Sequence, residues 1–127
     1  MEKIKNAIAW AEIPVLNFDR AKEFYSKILD SEIHEQMMGA HRMGFLPMDQ
    51  KLGGIGGAIV QGEGYIPSGL GSKVYLNGGK DLNVVLKRVD LANGKVILPK
   101  TMITEEIGYF AVFEDTEGNH VCLHSEE

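Results

Sequence analysis

Two segments of the chain place apolar residues at helical spacing. The first segment spans residues 17–31, and its stripe consists of Ala21, Phe24, Tyr25 and Ile28. The second segment spans residues 80–94, and its stripe consists of Leu82, Val85, Leu86 and Val89. Both follow the i, i+3, i+4, i+7 pattern of a helix with one apolar face. Corresponding positions keep a constant separation, so the pattern predicts two similar amphipathic helices in two halves of one chain.

The residues at the ends of these segments support the prediction. Asn17 and Asp81 precede the two stripes, and each offers a side-chain oxygen to the unpaired N–H groups of a first helical turn. Gly94 follows the second stripe, where a left-handed residue commonly ends a helix. We therefore expect Asn17 and Asp81 as N-caps and Gly94 as the residue that ends the second helix.

Each predicted helix follows one extended segment and precedes three others. In the first half the extended segments are 8–15, 32–37, 40–48 and 53–60; in the second half they are 73–76, 95–98, 107–113 and 118–124. The shared order indicates a duplicated strand–helix–strand–strand–strand module. The prediction is one domain over residues 1–127, with module one at about 1–62, a linker at about 63–72 and module two at about 73–127.

The glycine-rich segments of the chain predict turns and close backbone contacts. Residues 62–72 read GEGYIPSGLGS, a composition typical of a linker. The spacing of its glycines resembles a phosphate-binding loop, but Leu70 stands where that loop needs Lys, and a strand follows where it needs a helix. The segment GGIGGA at 53–58 predicts a strand with a bulge or a close backbone approach.

Charge and cysteine content limit the function classes. The chain has 13 basic and 18 acidic residues, a net charge of −5, and no basic run, which argues against a nucleic-acid surface. A single cysteine cannot form an internal disulfide, which favours a reducing, cytoplasmic setting. No apolar segment has the length of a membrane helix, and the N-terminal segment reads as a strand instead of a signal peptide.

Three metal-ligating residue types alternate near the end of the chain. His120, Cys122 and His124 follow an Asp-Thr-Glu-Gly turn, and alternation places them on one face of a strand. The Cα atoms of His120 and His124 are then about 13 Å apart, too far for one ion to bind both side chains. A metal site on this strand requires ligands from another strand.

The chain resembles the vicinal oxygen chelate superfamily, which includes glyoxalase I, bleomycin-resistance proteins and extradiol dioxygenases. The resemblance rests on IPVLNFDRAKEFYSKIL at 13–29, NGKVILPKT at 93–101 and FEDTEGNHVCL at 113–123. It implies an α+β fold in which two tandem βαβββ modules form a curved mixed sheet around a pocket. It also implies a homodimer.

The resemblance also identifies where the metal ligands of the superfamily would lie. These positions fall on Trp10, near Val74, at Gly57 or Ala58, and on Cys122, and none of them is His, Asp or Glu. No metal or other cofactor is therefore expected. If a divalent metal binds, the displaced ligands would be Glu12, Cys122, His124 and His41.

The favoured hypothesis is a protein that binds a small organic molecule, similar to the metal-free bleomycin-resistance proteins. Trp10 would stack on the ligand, Glu12 would accept hydrogen bonds or a cationic group, and His124 would donate, with Cys122 and His120 beside them. Cys122 has two further interpretations: a nucleophile activated by a neighbouring histidine, or a small buried apolar residue.

Two rival functions stay open. One is a metal-dependent lyase, isomerase or dioxygenase with displaced ligands. The other is an interaction module whose sheets serve only dimerisation, with no small ligand. Neither a nucleic acid nor a membrane is expected as a partner.

Overall fold

The computed structural model describes residues 3–127, which form two α-helices and eight strands. Their bounds in chain order are β1 (Trp10–Pro14), α1 (Phe18–Ile28), β2 (His34–Met38), β3 (His41–Phe45), β4 (Gly56–Gln61), β5 (Tyr75–Asn77), α2 (Leu82–Leu91), β6 (Lys95–Thr104), β7 (Gly108–Glu114) and β8 (His120–Ser125). A short 3-10 helix at Gln50–Leu52 joins β3 to β4. Neither α-helix in this part of the chain is long and apolar enough to span a membrane.

Hydrogen bonding divides the strands into two four-stranded sheets with the same internal order. The first sheet runs β1-β4-β3-β2 and the second runs β5-β8-β7-β6. In each sheet the first and last strands of the module are parallel, and the remaining pairs are antiparallel. The predicted α+β fold of two βαβββ modules is confirmed.

The two helices begin as the sequence predicts. The side-chain oxygen of Asn17 accepts a hydrogen bond from the backbone N–H of Arg20 at 3.1 Å, and Asp81 accepts one from Asn83 at 3.0 Å. All eight residues of the two apolar stripes are buried. Both N-cap predictions and both amphipathic helices are confirmed.

The two modules share one apolar core. Buried side chains of β1, α1 and β4 form a single cluster with those of α2, β7 and β8. Phe24 of α1 lies against Phe113 of β7, with ring centroids 5.8 Å apart, and the helices contact each other. Burial of such large aromatic rings is a major source of stability. Much of the stabilising contact is therefore between the two modules.

The end of α2 differs from the sequence prediction. Asn93, with φ of 71°, takes the left-handed conformation expected of Gly94. Gly94 is needed for space instead: a Cβ atom there would lie 2.6 Å from the ring of Phe24 and 2.9 Å from Val89. The turn begins one residue earlier than expected, because asparagine also tolerates the left-handed region.

A buried carboxylate of the β7–β8 turn binds the first module directly. Glu117 accepts hydrogen bonds through one oxygen from the backbone N–H groups of Leu16 (2.9 Å) and Asn17 (2.7 Å). Its other oxygen accepts from Nε of Arg20 at 2.7 Å. The contact lies at the N-terminus of α1, where the helix dipole favours negative charge.

Asp115 organises the same turn from within. One of its oxygens accepts the backbone N–H groups of Glu117 and Asn119, and the other accepts the hydroxyl of Tyr25 at 2.7 Å. The amide of Asn119 donates to the carbonyl of Pro14 at 2.7 Å. We call Asp115, Glu117 and Asn119 the inter-module clasp.

The clasp changes the acid–base properties of Tyr25 and Glu117. Burial and the neighbouring Asp115 raise the pKa of Tyr25 well above its ordinary value. Burial alone would raise the pKa of Glu117, but hydrogen bonds from Arg20, Asn17, Thr116 and Leu16 outweigh it and lower that pKa. Folding therefore favours the ionised form of Glu117.

Replacing Glu117 by glutamine tests the clasp. We expect Glu117→Gln to lower the free energy of unfolding at pH 7 by about 2 kcal/mol, because hydrogen bonds to a charged group are lost. Because the pKa of Glu117 is lower in the folded protein than in the unfolded chain, its ionisation stabilises the fold at pH values above the unfolded-state pKa. This stabilisation is lost as the pH falls through the folded-state pKa. The difference from wild type, measured by urea unfolding, should therefore shrink in acid.

The matched control for this experiment is Glu23→Gln, which removes an exposed ion pair with Lys27. Such pairs contribute less than about 1 kcal/mol. Equal effects of the two substitutions at pH 7 would contradict the clasp.

The end of α2 gives a second test. Gly94→Ala should destabilise the fold by about 1–3 kcal/mol, because the new methyl group overlaps the ring of Phe24. Asn93→Gly should change stability by less than about 1 kcal/mol and in the stabilising direction, since glycine adopts positive φ freely. Thermal unfolding of both variants checks the assignment, and a clear destabilisation by Asn93→Gly would contradict Asn93 as the left-handed residue.

Candidate functional site

The first sheet has an inner face against the helices and an outer face directed away from them. Ile13 of β1 and Ile59 of β4 are paired and belong to the core, so their neighbours along each strand lie on the outer face. The side chains of β1, β3 and β4 on the outer face are those of Trp10, Glu12, Pro14, His41, Met43, Phe45, Ala58 and Val60.

The half-buried carboxylate of Glu12 lies at the centre of a polar group on this face. The hydroxyl of Tyr65 donates to one of its oxygens at 2.6 Å, and the indole N–H of Trp10 donates to the other at 3.2 Å. The hydrogen bond to Glu12 raises the pKa of Tyr65, so the hydroxyl keeps its proton. The carboxylate is thus held in place by two aromatic side chains.

Further rings surround this group. The ring of Phe45 lies 6.2 Å from that of Trp10, and the ring of His41 lies 5.0 Å from that of Tyr65, both in edge-to-face orientation. Gly56 leaves room for the indole, since a Cβ atom there would lie 2.7 Å from it. The close approach predicted for the GGIGGA segment is therefore confirmed.

The aromatic group lies on an apolar base. Met43, Ala58 and Val60 are buried although they point away from the helices, and Phe45 and Tyr65 pack against them. One carboxylate beside several rings and an apolar base is the composition of a small-molecule site.

Tyr65 reaches this face from the segment that joins the modules. Gly64 has φ of 88°, and the backbone N–H of Tyr65 bonds to the carbonyl of Gly62 in a turn. The sequence predicts a linker here and does not indicate Tyr65 or Phe45 as site residues. The available signal was a single aromatic residue within a run of Gly, Pro and Ser.

The second sheet has a corresponding outer face on β8. Val121 and Leu123 belong to the core, so His120, Cys122 and His124 lie on the opposite face, as alternation predicts. Nε2 of His120 lies 3.3 Å from Glu114, and Nε2 of His124 lies 2.7 Å from the carbonyl oxygen of Ile107.

Cys122 is buried between these histidines, next to Tyr75. Burial raises the pKa of its thiol, although the Tyr75 hydroxyl opposes the shift. Nucleophilic cysteine chemistry needs the thiolate. The environment of Cys122 is that of a small buried residue, and it does not support the nucleophile interpretation.

The five residues expected to share one pocket are only partly brought together within a single chain. Trp10 and Glu12 are hydrogen-bonded, and Glu12 and His120 line the same cavity of about 90 Å³ beneath the linker. Cys122 does not line that cavity. His124 lines a different, open groove with Tyr75 and Asn77.

The residues present do not fit the metal centre that the resemblance implies. Trp10, Val74, Gly57 and Ala58 offer no ligating side-chain atom, and the pKa of Cys122 is raised. Within residues 3–127, no group of three or more His, Cys, Asp or Glu side chains is arranged to hold an ion. The displaced set of Glu12, Cys122, His124 and His41 does not converge in one chain.

The chain has no match by sequence, whereas several solved structures have a similar fold. No family sequence model and no curated protein sequence matches the chain. A glyoxalase/bleomycin resistance protein from Albidiferax ferrireducens T118 is similar in structure, with a TM-score of 0.71 at 14% identity, over 96% of this chain and all of that one.

Two further solved structures agree with this result. A glyoxalase/bleomycin resistance protein from Streptomyces sp. CB03234 has a TM-score of 0.69 at 21% identity, over 91% of this chain and 97% of that one. The fosfomycin resistance protein FosX from Mesorhizobium loti has a TM-score of 0.61 at 19% identity, over 97% and 93%. The chain therefore has the fold of the vicinal oxygen chelate superfamily, in the two-module form of the glyoxalase/bleomycin resistance proteins.

Proposed function

We propose that the protein binds a small organic molecule on the outer face of the first sheet, between Trp10 and Tyr65. The observation that carries this proposal is the half-buried carboxylate of Glu12, which is held by the two rings above an apolar base. Aromatic surface supplies affinity and the carboxylate supplies orientation, the usual division of roles in ligand sites.

We further infer that the working form is a homodimer. Trp10 on the first outer face is 44% exposed and Tyr75 on the second is 56% exposed, although outer faces of sheets in water are usually polar. Because Cys122 and His124 do not line the cavity of Glu12 in one chain, a pocket that unites them requires the second sheet of another copy. A two-fold dimer would form two such pockets.

The rival functions receive less support. The metal-dependent enzyme requires displaced ligands that do not converge within the described chain, and Cys122 lacks the environment of an activated thiol. An interaction module without a ligand would give no role to the hydrogen bonds that Trp10 and Tyr65 donate to Glu12. A cytoplasmic location stays a prediction from the single cysteine.

Ligand binding can be followed through Trp10, the single tryptophan of the chain. A compound identified by a thermal-shift screen should change the emission of Trp10 and should bind Trp10→Ala about tenfold more weakly or worse, since an aromatic contact is lost. The control is Leu91→Ala, a truncation of an exposed residue on α2. A compound that stabilises both variants equally and leaves Trp10 emission unchanged would place the site elsewhere.

The dimer is tested by light scattering after size exclusion. The expected mass is twice the 14.0 kDa of one chain. Tyr75→Glu should shift the population toward the monomer, because it places a charge in an apolar contact. A monomer at all accessible concentrations would rule out the composite pocket while leaving the Glu12 site intact.

A further inference from the structure

We infer that the ligand of the Glu12 site is an organic cation, with an ammonium or similar group paired with the carboxylate beside the aromatic rings. The inference rests on the proposed function, and it specifies the charge of the ligand. It follows from three features of the outer face of the first sheet.

The first feature is that Glu12 has no basic partner. Several other carboxylates of the chain pair with a basic side chain; these are Asp19, Glu23, Glu35, Asp81, Glu114 and Glu117. Within residues 3–127, Glu12 forms no ion pair, and its side-chain partners are the neutral donors of Trp10 and Tyr65. A half-buried carboxylate without a basic partner can pair with a cationic group of a ligand.

The second feature is the position of the rings. Both donors hold the carboxylate with their polar atoms, so the indole and phenol rings are adjacent to its oxygens. The N–H and O–H groups lie at the ring edges, so a cation that pairs with the carboxylate gains from a ring where it also lies over the face of that ring, within about 6 Å of its centre. Neither an anion nor a neutral polar group gains from both contacts.

The third feature is the low polarity beneath the site. Ala58 pairs with Glu12 across β1 and β4, and it forms a buried apolar cluster with Met43 and Val60. Charge–charge attraction is stronger next to such a surface than in bulk water. The net charge of −5 adds a long-range attraction for cations.

The test uses three probes of similar size and different charge: benzylammonium, benzyl alcohol and benzoate. Each is titrated into the intact protein while Trp10 emission is recorded. Benzylammonium should bind about tenfold more tightly than benzyl alcohol, and benzoate should bind most weakly. The preference should decrease toward about 1 M salt, where the Debye length is about 3 Å.

Glu12→Gln keeps the size of the side chain and removes its charge. It should reduce benzylammonium affinity about tenfold while benzyl alcohol affinity stays within about twofold. The matched control is Glu106→Gln, the same change in net charge at an exposed turn residue, which should leave both affinities unchanged.

The outcomes separate the two proposals. Equal binding of all three probes, or an unchanged benzylammonium affinity in Glu12→Gln, would overturn the cation inference and leave the small-molecule site standing. No saturable signal from any probe would count against both. An equal loss in Glu12→Gln and Glu106→Gln would indicate non-specific attraction by net charge, and it would overturn the inference as well.

Discussion

The carboxylate of Glu117 is the contact on which the rest of the structure depends. It is fully enclosed and carries charge, and three of its hydrogen-bond donors come from the first module although it belongs to the second. A buried charge is tolerated only when its hydrogen bonds are satisfied. The β1–α1 connection and the β7–β8 turn are therefore fixed relative to each other, and with them the strands that carry Glu12 and His120.

Small residues determine where the aromatic side chains of the site can lie. Gly56 gives the indole of Trp10 space over β4, and Gly62 and Gly64 form the turn that brings Tyr65 to Glu12. A Cβ atom at Gly56 or Gly62 would overlap the ring of Trp10 or His41, and Gly64 supplies a positive φ. The high glycine content of the chain thus contributes to the site as well as to its turns.

The sequence predicts the fold better than the site, for a physical reason. Apolar periodicity and capping residues act over one or two helical turns, so both helices and their N-caps could be identified directly. The site depends on contacts between residues distant in sequence: Tyr65 bonds to Glu12 across 53 positions. The one local signal at Tyr65 is an aromatic ring among Gly, Pro and Ser, and it does not identify Glu12 as the partner. Gly94 shows the same limit, because its role depends on the ring of Phe24.

The linker between the modules lies on the surface, whereas the core and the clasp lie between the modules. Ile66 and Leu70 are 77% and 86% exposed, and Gly71 has positive φ. The peptide bonds here contribute little to holding the halves together, because the core and the clasp join them without the linker. If the chain were cut within this segment, the two βαβββ halves would still have complementary surfaces. They could then reassociate in the manner of a split protein.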